Sequence, residues 1–105
     1  MPTCSLPGQV HVGDDGTVLT KTVYDDAVVD ISSATTLELI IINSNGDRVV
    51  LSGSFVTDGT DGQAYFVSTP TTWTSEGTAK EQVHLVLSSG EWWSNVSTRR
   101  VGEQL

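Results

Sequence analysis

The chain is short of the residues that build active sites and covalent frameworks. It has one cysteine, Cys4, in 105 residues, so no disulfide can close within it. No histidine lies near Cys4 in the sequence to activate its thiol. His11 and His84 are the only histidines. There is no HxH or HExxH spacing, and a single cysteine cannot make a zinc knuckle. A Gly-x-Ser-x-Gly elbow and a glycine-rich phosphate loop are also missing. No stretch is apolar for 18 residues, which excludes a membrane-spanning helix. Basic residues are few: five Lys and Arg against thirteen Asp and Glu, a net charge of −8. A surface of that sign repels phosphate backbones and anionic bilayers. These absences predict a protein that is not an enzyme, has no cofactor or bound metal, and has no nucleic-acid or membrane partner. No apolar leader precedes Cys4, so synthesis is expected in a cytoplasm, with any later address set by assembly.

What the chain does have is β-branched residues, glycine and turn formers. Its length suits one domain, and a domain this size buries roughly two thirds of the surface of its unfolded chain. Ile41-Ile42-Asn43-Ser44-Asn45-Gly46-Asp47-Arg48-Val49-Val50 reads as two strands joined at Asn45-Gly46, the strongest short hairpin signal and one that suits a type I′ turn. Leu85-Val86-Leu87-Ser88-Ser89-Gly90-Glu91-Trp92-Trp93 reads the same way around Ser89-Gly90. With these hairpins included, strands are expected at 9–12, 17–24, 28–31, 35–43, 48–57, 63–69, 78–88 and 91–101, the shortest of them marginal. Lys21 falls between Leu19 and Val23 on one face of its strand, so that face is half buried or Lys21 lies at its rim. Gly53 interrupts an apolar face and suggests a bulge or a close backbone approach. The pattern predicts an all-β fold, a β-sandwich of about seven antiparallel strands. It would span residues 9–101, after an N-terminal arm at 1–8 and before a tail at 102–105.

Candidate chemistry is sparse. Asp14-Asp15 and Asp25-Asp26 read as turn formers, because adjacent strand residues point to opposite faces and neither pair converges. Asp58-Gly59-Thr60-Asp61-Gly62 faintly resembles a calcium loop, but it has two side-chain carboxylates and no closing Glu. His84 falls on the polar face of its strand and is expected to be exposed. The stronger candidates are Trp73, Trp92, Trp93, Arg99 and Arg100. Trp92 and Trp93 are neighbours on one strand, so one is expected to face the core and only one can. The other covers a sheet edge, meets a protein partner or stacks on a sugar ring. Trp73, in a polar connection, has the same three options. Arg99-Arg100 reads as solvated strand-end charge or as an anchor to an acidic neighbour.

The order of these elements resembles the N-terminal domain of phage baseplate upper proteins and its relatives in tail and fibre proteins. The likeness rests on Gly13-Asp14-Asp15-Gly16 leading into Thr17–Tyr24, on Val29-Asp30-Ile31-Ser32-Ser33-Ala34, on Asn45-Gly46-Asp47, and on Gly77-Thr78-Ala79 opening a long strand. Ile31 stands where the family has Leu, Ser33 where it has Gly, and Ala79 where it has an aromatic. The resemblance implies an immunoglobulin-like attachment module in a virion: a tail, baseplate or fibre adaptor acting by protein–protein contact. Its partners would be other virion structural proteins and further copies of itself. A capsid decoration protein, or a carbohydrate-binding module using its tryptophans on a host glycan, is the alternative. Family members usually continue into further domains, so a chain ending at Leu105 is expected to serve as adaptor or decoration and not as host-receptor binder.

Overall fold

Thr36-Leu-Glu-Leu-Ile-Ile-Ile42 is dense in β-branched side chains, which lose little freedom on a pleated sheet. It forms the central strand of the molecule. A computed structural model describes residues 10–25 and 27–103. Among them are ten strands: β1 (Val10–His11), β2 (Val18–Thr22), β3 (Tyr24–Asp25), β4 (Ala27–Val28), β5 (Thr36–Ile42), β6 (Arg48–Phe55), β7 (Gln63–Val67), β8 (Gly77–Leu87), β9 (Gly90–Trp93) and β10 (Ser97–Gly102). No helix occurs among the described residues. The expected arm at 1–8, with Cys4, lies outside them.

The main sheet runs β1-β10-β8-β5-β6-β7-β2, with β9 beside β8; β3 and β4 form a separate ribbon. β6 serves two neighbours. Its first part, Arg48 to Ser52, pairs with β5, and Gly53 to Phe55 pair with β7. The sheet therefore turns within β6 and curls into a half-barrel. Gly53 sits at that turn, where a Cβ would run into the ring of the buried Phe66. The concave side holds the core, with Leu19, Leu39, Ile41, Phe66, Val83 and Leu85 among its buried side chains.

The all-β expectation holds, but eight of the ten strands make one continuous curled sheet where two facing sheets were expected. β6 is long enough to belong to both limbs, and glycine lets it bend. Nor are all strands antiparallel: β1 runs parallel to β10, Val10 beside Val101. The final strand extends to Gly102, one residue into the expected tail. The Asn45-Gly46 hairpin is also built differently. Gly46 N–H donates to Asn43 C=O at 2.9 Å and Asn43 N–H to Asp47 C=O at 2.8 Å. That leaves a three-residue loop with Gly46 at φ +93°, the type I turn plus glycine bulge that also matches strand twist.

Candidate functional site

β8 alternates cleanly. Ala79, Glu81, Val83 and Leu85 are buried on the concave side, whereas Lys80, Gln82 and His84 face outward. Its partner strand is interrupted. His84 pairs with Trp93 and Leu87 with Gly90, but Glu81 pairs with Ser97 and Lys80 with Thr98. Three residues, Ser94 to Val96, thus lie opposite two, Gln82 and Val83. This β-bulge shifts register by one residue and reverses which side chains point inward. Ser94 stitches the gap: its N–H donates to Val83 C=O at 2.8 Å. Its hydroxyl accepts from Val83 N–H at 2.9 Å, and its C=O accepts from the Gln82 amide at 2.8 Å.

Because of the bulge, Arg99 points into the half-barrel and Arg100 points out. Arg99 meets Glu81, whose side chain is 1% exposed. Its Nε donates to Glu81 Oε2 and its Nη2 to Oε1 at 3.3 Å. From the opposite limb, Lys21 on β2 donates through Nζ to the same Oε1 at 2.7 Å. Burial pushes the Glu81 carboxyl up, but the hydrogen bonds from Arg99 and Lys21 and their charges outweigh it, and the net direction is down. Glu81 was not among the residues singled out from sequence. Its signal was there: it lies in phase with the apolar Val83 and Leu85. Arg99 does have an acidic partner, but within the chain.

Above this triad the half-barrel opens into a groove of about 720 Å³ between β2 and the β8–β9–β10 side. Lys21 and Glu81 form part of its floor. Leu39, Val83, Leu85 and Leu87 line one wall, Val23 and Val29 another, and Trp92, Trp93, Asp30, Ser94 and Asn95 complete the lining.

The convex face carries a second cluster. The His84 ring is held at both nitrogens, Nδ1 to Glu38 Oε1 at 2.9 Å and Nε2 to Glu91 Oε2 at 2.6 Å. It also stacks on Trp93, with centroids 4.7 Å apart and planes 17° apart. Hydrogen bonds to Glu38 and then Glu91 raise the His84 pKa above 6.5, against a smaller effect of burial. The expectation of an exposed His84 is corrected: two carboxylates and an indole leave its side chain 15% exposed.

Trp92 and Trp93 are 45% and 54% exposed. Neither is the buried member expected of an adjacent pair, because β9 is an edge strand that pairs only with β8 among the described residues. They face opposite sides, Trp92 into the groove and Trp93 outward, and so do not form one flat platform. β9 pairs only with β8 among the described residues, leaving its other edge open. Val96, in the bulge, and Val50 are exposed on the convex side, where Val96 borders Ile40 and Ile42.

Trp73 is corrected outright as a surface contact: it is 0% exposed and part of the core. The buried Asn43 holds the backbone on either side of it, donating to Thr72 C=O at 3.0 Å and accepting from Thr74 N–H at 3.1 Å. In the Asp58–Gly62 loop the carboxylates satisfy local donors. Asp58 accepts from Thr60 N–H and hydroxyl, and Asp61 from Gln63 N–H and the Thr57 hydroxyl. The Thr60 bonds hold the Asp58 carboxyl below its ordinary range. Gly59 packs against the Ser32 backbone, where a Cβ would clash. Among the described residues no three His, Cys, Asp or Glu side chains come together as metal ligands. No family model, curated protein or solved structure matches the chain.

Proposed function

We propose that this protein is a structural component of a bacteriophage particle, an adaptor in the tail, baseplate or fibre region that works by protein–protein contact. The observation that carries the reading is the open β9 edge with a half-exposed tryptophan on each side. An unpaired edge offers backbone donors and acceptors for strand addition, and tryptophan is enriched where interfaces concentrate their binding energy. The resemblance in turn and strand order supplies the virion context. Within that reading the fold is immunoglobulin-like: the limbs β1-β10-β8-β5 and β7-β2 take the places of the two sheets, and β6 passes between them. The opposed directions of Trp92 and Trp93 favour protein contact over glycan stacking.

Immunogold labelling of purified particles tests this. Label at the tail or its tip is the expected result. Label spread over the head would make it a decoration protein, and particles without label would end the virion reading.

A further inference from the structure

We propose that the groove over the Lys21–Glu81–Arg99 triad binds a small amphipathic monocarboxylate, with its carboxylate on Lys21 and its apolar body along the groove wall. At about 720 Å³ the groove has the size of a small-molecule site. The apolar surface it offers comes from the partly buried Leu87, Val23 and Val29 and from Trp92, over the buried Leu39, Val83 and Leu85. The charge that the groove presents is the ammonium. Glu81 is 1% exposed and engaged by two cations, whereas the Lys21 side chain is 23% exposed. Glu81 takes one of the three ammonium hydrogens of Lys21, and two remain for an incoming acceptor.

An anion at Lys21 would meet a carboxylate already matched by Lys21 and Arg99. The opposing negative group is Asp30 at the rim, which accepts a hydrogen bond from Ser32 N–H at 2.9 Å. A cationic amphiphile would instead set its head against Lys21. A neutral one would fill the walls but leave the ammonium without its charge-assisted bond. Trp92 stands where it would cover the bound hydrocarbon and report on it. Trp93, stacked on His84, only borders the groove, and the site does not depend on the virion reading.

The test is titration of the full-length protein with dodecanoate, dodecanol and dodecyltrimethylammonium, each below its micellar concentration. Tryptophan emission and isothermal calorimetry are followed together. Dodecanoate is expected to saturate at one per chain with a blue shift, and the other two to bind at least about tenfold more weakly. The overall charge of −8 favours the cationic probe non-specifically, so a preference for the anion must come from the groove. Trp92→Ala, at an exposed side chain, should abolish most of the emission change and weaken binding, and Trp93→Ala, at the border of the groove, should have the smaller effect on both. Lys21→Gln should bring dodecanoate down to the affinity of dodecanol. The proposal fails if no probe saturates, if the alcohol or the cation binds as tightly as the carboxylate, or if Trp92→Ala leaves the response intact.

Discussion

β8 gives one titratable side chain to each face of the sheet, Glu81 inward and His84 outward, and each is held between two groups of opposite charge. Geometry makes them look alike, but their surroundings do not. Glu81 is sealed in the core between strands that are distant in sequence, so its three charges depend on one another. Removing one member of a buried ion set leaves the others desolvated and short of a charge partner. The His84 cluster sits at the surface with Glu91 half exposed. Water can replace a lost partner there, and such pairs contribute little. The inner cluster therefore ties the two limbs of the half-barrel together, whereas the outer one sets the pose of Trp93 on an edge that the fold does not otherwise need.

The largest effect is expected from Glu81→Gln. It leaves Lys21 and Arg99 facing a neutral amide, and chemical denaturation should show a loss of about 3–5 kcal/mol. A smaller change is expected when Lys21, Glu81 and Arg99 are all replaced by apolar residues of similar volume. That variant should lie near or above wild type, because no charge is left buried. If it is as unstable as Glu81→Gln, the cost arises from packing and not from stranded charge.

The two clusters should also respond to pH at opposite ends. Glu81 has a lowered pKa, so its contribution is present above its ordinary value of 4.5 and is lost as pH falls through the depressed one. His84 has a raised pKa, so its contribution is complete below 6.5 and is lost as pH rises through the elevated value. Thermal unfolding against pH should show a shallow decline on the alkaline side of 6.5. His84→Phe should remove that decline while keeping a ring against Trp93, and leave the acid limb intact. A decline that survives His84→Phe would belong to another group.

Much of the fold was legible because turn chemistry and period-two alternation are local. β5, β6 and β8 follow directly from their residues, and Gly53 was readable as a close approach. Lys21 between Leu19 and Val23 was readable as a charge on a half-buried face. Its partner was not, since Glu81 is sixty positions away and only the curl of the sheet brings β2 over β8. The bulge at Ser94–Val96 had no sequence signal beyond small and polar residues, yet it decides which arginine points inward. Trp73 was misplaced because its burial depends on Asn43 reaching across from another strand end. Local polarity around a tryptophan says little about where tertiary hydrogen bonds will hold it.

The contact reading rests on the same contrast between a sealed interior and an open edge, and the three tryptophans measure it directly. Hydroxyl-radical oxidation followed by mass spectrometry should modify Trp92 and Trp93 in the free protein and spare Trp73. On assembled particles Trp93 should be protected several-fold while Trp73 stays unmodified. Equal oxidation of Trp93 in the free and assembled states would contradict it.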